Sequence, residues 1–197
     1  MNLKPKPILL FETIRVENGK AQHLFFHEKR IKQSISSPLM FDLATIIQPK
    51  DKGLYRCKVI YDTSGCLHNV AFSTYQKRMI SSLKVMESDV VYPRKYLNRQ
   101  ALDTLFNARE QADDVLIVRN GRVTDTTIAN IAICSNGVWI TPKNPLLAGT
   151  TRARLLQNGL LQARDFGLDE LFNASQFALM NAMIGFDKLE NIVFQAA

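Results

Sequence analysis

Val115-Leu116-Ile117-Val118, Asn120-Gly121, Arg122-Val123-Thr124, then Ile131-Ala132-Ile133-Cys134, Asn136-Gly137, Val138-Trp139-Ile140-Thr141: each half of this stretch is an apolar run turned back on itself at an Asn-Gly pair. Asn and Gly tolerate the positive φ angles of a tight hairpin turn, so the spacing predicts two successive hairpins and an antiparallel meander. The same signal occurs near the start. Ile8 to Val16 is apolar and β-prone, Asn18-Gly19 follows, and Gln22 to Phe26 resumes strand character before a helix over His27 to Ser34.

Between these regions lie strand-like stretches at Tyr55 to Tyr61 and Val70 to Tyr75, joined by Asp62-Thr63-Ser64-Gly65. Periodicity fades around Ser81 to Pro93, and Pro93 biases its predecessor toward extended backbone, which places a junction between two lobes there. Beyond it Ala101, Leu102, Leu105, Phe106 and Ala112 mark one helical face, with Asn98 as N-cap. Pro142 to Ala148 reads as loop, and Thr150 or Thr151 opens a helix that runs through Gln157, with Gly159 at its C′ position. The expectation is an α+β (α/β) chain with a small lobe over 1–90 and a larger barrel-like lobe over 91–197.

Hydrophobic residues make up 46% of the 197 and charged residues 22%, an ordinary globular balance. No apolar run approaches the ~20 residues of a membrane span, and the apolar stretch after Met1-Asn2-Leu3-Lys4-Pro5-Lys6-Pro7 is too brief for a signal peptide. Three cysteines without metal-like spacing, beside only three histidines, argue against structural zinc and for a cytoplasmic protein with reduced thiols. The basic residues behind the net charge of +7 are dispersed and lack a nucleic-acid recognition motif, but a positive field also favours phosphate and carboxylate ligands.

Three positions carry possible chemistry. Lys95, at the lobe junction with Arg94 beside it to depress its pKa, could hold an aldehyde as an imine. Asp125 follows a hairpin strand among Thr124, Thr126 and Thr127, where a carboxylate could keep a cofactor's ring nitrogen protonated. Gly149-Thr150-Thr151-Arg152 sits at a helix start, whose unpaired N–H groups and dipole favour a phosphate, and Arg30 could add a planar charged fork. Each has an ordinary reading too: a solvated lysine, a turn aspartate, a threonine cap. His27 is read as a cap or packing residue, and Phe177, Met180, Met183 and Phe186 as core. Together the trio suits pyridoxal phosphate.

In order, these segments resemble the class IV (fold-type IV) pyridoxal-phosphate enzymes, the group of branched-chain and D-amino acid aminotransferases and aminodeoxychorismate lyases. Phe11-Glu12-Thr13-Ile14-Arg15-Val16, Asn18-Gly19-Lys20 and His27 to Ile31 look like the family's opening hairpin and first helix. Lys95 to Arg99 looks like its cofactor-lysine motif, Val123 to Ile131 its carboxylate segment, and Asn136 to Arg152 its strand, loop and phosphate turn. Asn181 resembles a residue of the terminal strand bordering the pocket.

The resemblance implies that Lys95 is catalytic and that Lys95, Arg30, Asp125, Thr150 and Thr151 bind the cofactor. It also implies a homodimer acting on a small amino substrate, and the composition leads us to expect no metal, nucleic acid or membrane partner. The segments around Phe11 and Lys95 look closest to the aminodeoxychorismate lyase branch. An amino acid aminotransferase is the alternative, and a non-catalytic ligand-binding relative a second. Three departures stand out. The family's upstream Gly-Asp-Gly run is missing from this sequence, the stretch from Arg30 to Lys95 is shorter than usual, and Asp125 stands where the family usually has glutamate.

Overall fold

A computed structural model describes residues 7–48 and 52–196, so the lysine-bearing segment Met1 to Lys6 lies outside the described residues. The chain divides into two compact units, one running through Gln76 and reclaiming Arg94–Asn98, the other made of Lys77–Pro93 and the chain from Arg99 onward.

The first unit holds β1 (Leu9–Glu17), β2 (Lys20–Ala21), α1 (Leu24–Ser34), α2 (Leu43–Ile46), β3 (Leu54–Asp62) and β4 (Leu67–Thr74). Its sheet has the order β2-β1-β3-β4. The Asn18-Gly19 turn forms with φ of 48° and 78°, as the sequence predicts. The strand expected after it is only the two residues of β2, and Leu24 to Phe26 open α1 instead. The principal partner of β1 is β3, paired along its whole length from Leu9↔Asp62 to Glu17↔Leu54. Alternation decides the faces: Leu10, Ile14 and Val16 of β1 and Cys57, Val59 and Tyr61 of β3 are buried, and Ile31 of α1 packs onto them. Because β2 is short, the start of β1 keeps an open edge, and Lys95 to Leu97 fill it. Phe11 N–H donates to Lys95 O at 2.9 Å and Leu97 N–H to Leu9 O at 2.9 Å. Return of this short segment to the first sheet replaces the single division expected near residue 90.

The second unit contains β5 (Ser82–Glu87), α3 (Gln100–Asn107), β6 (Asp114–Arg119), β7 (Arg122–Thr126), β8 (Asn130–Ser135), β9 (Val138–Thr141), α4 (Thr150–Gln157), β10 (Gln162–Ala163), α5 (Leu168–Phe172), β11 (Gln176–Asn181), β12 (Gly185–Leu189) and β13 (Val193–Gln195). The predicted meander is β6 to β9, turning at Asn120-Gly121 and Asn136-Gly137, all four with positive φ. It belongs to a mixed nine-stranded sheet in which β5 runs parallel to β6, and β11 pairs with both β8 and β12. The region read as an aperiodic junction is therefore the strand β5: Leu83, Lys84 and Val85 are all buried, which erases alternation. Leu83, Leu116, Val118, Ile131, Ile133 and Leu179 form the core with Phe166 and Phe177. Helix α3 starts one residue later than expected, with Arg99 and not Asn98 at its N-cap, and Ala112 lies beyond its end.

Asp113 anchors the start of β5. Its Oδ2 accepts from the backbone N–H and hydroxyl of both Ser81 and Ser82, at 2.8 to 3.1 Å. The Ser81 N–H leads in holding its carboxyl below the ordinary carboxylate range, against the opposing effect of burial. We expect Asp113→Ala to destabilise the protein by about 1–3 kcal/mol, with Tm falling roughly 2–4 °C for each kcal/mol. An unchanged melting curve would remove Asp113 as the anchor.

Candidate active site

In the first unit a buried carboxylate organises the residues. Glu12 sits on the core face of β1, between Leu10 and Ile14, and is fully buried. A charge there requires partners, and α1 supplies them from positions three apart on one helical face. His27 Nδ1 lies 2.6 Å from Glu12 Oε2, Arg30 Nε donates to Oε1 at 2.8 Å, and Arg30 Nη2 donates to Oε2. Burial alone would raise the Glu12 carboxyl, but the Arg30 charge and the hydrogen bond with His27 outweigh it and hold it at about 2. His27 is thus part of a buried hydrogen-bonded triad, beyond the cap or packing role read from sequence.

Lys95 is placed by the backbone bonds that bind its segment to β1. Its ammonium lies 4.6 Å from the ring centroid of Phe11, the neighbour of Glu12. Both sequence-selected cations of this unit, Arg30 and Lys95, are therefore positioned by adjacent residues of one strand.

The second unit brings Asp125, Thr150 and Thr151 together through Asn130, a residue to which the sequence assigns no role. Asn130 follows the turn after Asp125 and forms the one β7–β8 backbone pair, Asp125↔Asn130. Thr126 closes that turn, its hydroxyl oxygen accepting from Ala129 N–H at 3.1 Å and its own N–H donating to Ala129 O at 2.9 Å. The Asn130 amide then donates to Asp125 Oδ1 and to Leu147 O, both at 2.7 Å, while Leu147 N–H donates to Asp125 Oδ2 at 3.0 Å. The loop before α4 is thereby fixed to the end of β7. Gly149 completes the arrangement, since a Cβ there would fall 1.9 Å from Asn130 Oδ1.

Helix α4 follows directly, with Thr150, Thr151 and Arg152 buried, and no side chain caps its first turn. Arg152 Nη2 donates to Pro142 O at 2.7 Å. Burial pushes the Asp125 carboxyl up to about 7, against the hydrogen bonds from Asn130 and Leu147 and the charge of Arg152. Burial likewise lowers Arg152, with Asp125 and Asp165 opposing. Two further contacts steady the turn: Arg99 Nη2 donates to Thr127 O at 2.8 Å, and Thr127 Oγ1 donates to Asp114 Oδ1 at 2.6 Å. Asn181 reaches the same turn, its amide donating to Ile128 O at 3.3 Å.

The residues fit pyridoxal phosphate on these observations. An uncapped helix start offers N–H groups and two buried threonines to a phosphate. A buried carboxylate, forced toward neutrality by its surroundings, is suited to a cationic ring N–H. Among the described residues no cluster of three or more His, Cys, Asp or Glu side chains could hold a metal ion. Glu12, Asn130 and Arg152 are the functional candidates that sequence reasoning misses. Glu12 has a usable signal, a charge in phase with the apolar positions of its strand.

Comparison with known proteins places this arrangement in a family. Residues 95–188 match the profile for amino-transferase class IV, beginning at Lys95 itself. An uncharacterized protein of Haemophilus influenzae is 34% identical over 186 residues, spanning 89% of this chain and 98% of that one. A crystal structure from Haemophilus somnus, a "putative 4-amino-4-deoxychorismate lyase", superposes with a TM-score of 0.82 at 34% identity over 90% of this chain and 97% of that one. The pyridoxal-phosphate-bound form of a hypothetical aminotransferase from Mycobacterium tuberculosis shares the fold, with a TM-score of 0.76, 18% identity, and coverage of 99% and 86%. With likeness running almost end to end in relatives a third identical, this chain belongs to the class IV amino-transferase family of enzymes.

Proposed function

We propose that the protein binds pyridoxal 5'-phosphate and acts as an aminodeoxychorismate lyase, converting 4-amino-4-deoxychorismate to 4-aminobenzoate and pyruvate. The observation that carries this reading is the near full-length, 34% identical likeness to the Haemophilus somnus protein of that description. The buried Asp125 and uncapped α4 support the cofactor. The reaction is atom-balanced, consuming neither water nor a second keto acid. Amino acid aminotransfer is the competing outcome within the same family and would require a keto acid acceptor. The family likeness also supports a homodimer, and the free thiols of Cys57, Cys66 and Cys134 support a cytoplasmic location. No described helix is long and apolar enough to cross a membrane.

When bound, the cofactor supplies an aldehyde that captures amines and a ring that accepts electrons. The roles of the chain's own residues follow from their chemistry. Lys95 would hold the cofactor through its amine, and the same amine would move the proton at the substrate's amine-bearing carbon as base and then acid. Asp125 would face the ring nitrogen and keep its proton in place. Thr150 and Thr151 would donate to the phosphate, and Arg30, oriented by Glu12, would add positive charge.

Three measurements test this reading. Borohydride reduction of protein mixed with pyridoxal phosphate should fix a pyridoxyl group on the peptide containing Lys95, and Lys95→Ala should carry none and lose roughly 10²- to 10⁴-fold in turnover. An unmodified wild-type peptide overturns cofactor binding at Lys95. Supplied with aminodeoxychorismate, the enzyme should release 4-aminobenzoate and pyruvate in equal amounts; keto acid from D-alanine or leucine without 4-aminobenzoate rejects the lyase reading in favour of aminotransfer.

The third concerns pH. Asp125 keeps its proton in the folded chain up to about 7, whereas its ordinary value is 3.8, so the stability it contributes is full below that value and is lost as pH rises through 7. Without cofactor, Asp125→Asn should therefore gain in Tm relative to wild type as pH rises between those values. A gap independent of pH would contradict the buried, protonated Asp125.

A further inference from the structure

Lys58 belongs to the first unit, and neither the cofactor nor the proton transfers employ it. The β1–β3 register sets its direction. Glu12 pairs with Val59 and Ile14 with Cys57, and all four are buried, so Thr13 and its partner Lys58 occupy the other face of the sheet, with Phe11 and Ile60 on one side and Arg15 and Arg56 on the other. On that face Phe11 is nevertheless only 8% exposed. The Lys58 ammonium lies 5.0 Å from its ring centroid, and the Lys95 ammonium 4.6 Å from the same centroid.

The charges on this face do not balance internally. Arg15 pairs with Glu17 at 3.1 Å, which leaves that pair neutral. Arg56 donates to the Ser73 hydroxyl at 3.3 Å, and among the described residues neither it nor Lys58 has a carboxylate partner. A cation over an aromatic face gains only about 0.5–1 kcal/mol at an exposed site, and a second ammonium on the same ring adds repulsion. Because Lys58 and Lys95 share the Phe11 ring, an anion held by Lys58 lies close to the Lys95 side chain. Half-burial of Lys58 in this position, with its ammonium over the Phe11 ring, limits the freedom that an anion would have to restrain.

We propose that Lys58 binds a second carboxylate of the amino substrate, so that the enzyme selects amino compounds bearing two carboxylates over simple amino acids. This rests on Lys95 being the residue that meets the substrate. The class includes the substrate proposed above, but the assignment comes from Lys58 and its ring contact, independently of the relatives.

The test uses pyridoxal-phosphate-loaded enzyme with chorismate as a dicarboxylate probe and benzoate as a monocarboxylate control. Lys58→Met should weaken chorismate binding by roughly ten- to a hundredfold while changing benzoate binding little, and Lys58→Arg should restore most of the loss. In turnover, Lys58→Met should raise KM for aminodeoxychorismate far more than it lowers kcat. Borohydride-fixed pyridoxyl on Lys95 in both variants shows that they are folded and loaded. Chorismate binding unchanged by Lys58→Met, an equal loss for both probes, or no chorismate binding by loaded wild type overturns the role of Lys58 alone. Absence of the Lys95 adduct in wild type overturns the cofactor reading, and with it the premise of this assignment.

Discussion

The second unit depends on one side-chain amide. Asn130 donates both of its hydrogens, one to Asp125 and one to the carbonyl of Leu147, and so joins a strand end to the loop that delivers α4. Two buried hydrogen bonds from one group cannot be given up separately, because an amide or carboxylate left unpaired there costs on the order of 1–3 kcal/mol. Everything nearby conforms to that bridge. Gly149 must lack a Cβ for the chain to pass Asn130, and the first turn of α4 follows in the next residue. The candidate carboxylate and the candidate phosphate turn are consequently one rigid assembly, although 25 residues separate Asp125 from Thr150 in the sequence.

Two of the buried carboxylates, Glu12 and Asp125, show how partners decide the state of a charge. Glu12 receives a guanidinium and an imidazole at hydrogen-bond distance and is held at about 2. Asp125 is buried to a similar degree but receives neutral amide donors, with Arg152 acting on it only as a nearby charge, and it is pushed up to about 7. The first is an internally satisfied network that holds Arg30 in place. The second remains responsive to a positive or N–H-bearing ligand, and a group held near neutrality can respond to such a ligand at little electrostatic cost. The distinction suits Glu12 to holding Arg30 in place and Asp125 to meeting such a ligand.

Much of this is legible in the sequence. Three Asn-Gly turns announce themselves because few other pairs accept two positive φ angles in succession, and the α4 limits follow from a glycine before two hydroxyls and another glycine at C′. The parallel strand β5 is not legible, since a strand buried on both faces loses the alternation by which strands are recognised. The same blindness applies to β2: an Asn-Gly turn predicts a return strand but not its length, and the helical pull of Leu24 to Ser34 ends it after two residues. Glu12 falls within a recognisable opening strand, yet its role is hidden because its ligands, His27 and Arg30, arrive from a helix whose packing the strand's own sequence does not specify.

The brevity of β2 also explains how the lysine is held. A full-length β2 would pair with β1 at Leu9 to Phe11, the positions that now accept Lys95 to Leu97. Exposed strand edges seek partners, and here the partner is the chain's own segment of three residues, bonded on both sides of Leu10. Such backbone pairing fixes Lys95 through its carbonyl while leaving the side chain to lie over Phe11, so the position of the amine does not depend on which residues flank it. The residues that follow are thereby released from the sheet, and Arg99, four positions on, binds Thr127 in the turn after Asp125. The motif from Lys95 to Arg99 therefore carries two kinds of attachment. Its first half is written in backbone hydrogen bonds that no sequence pattern specifies, and its second in an arginine that one does.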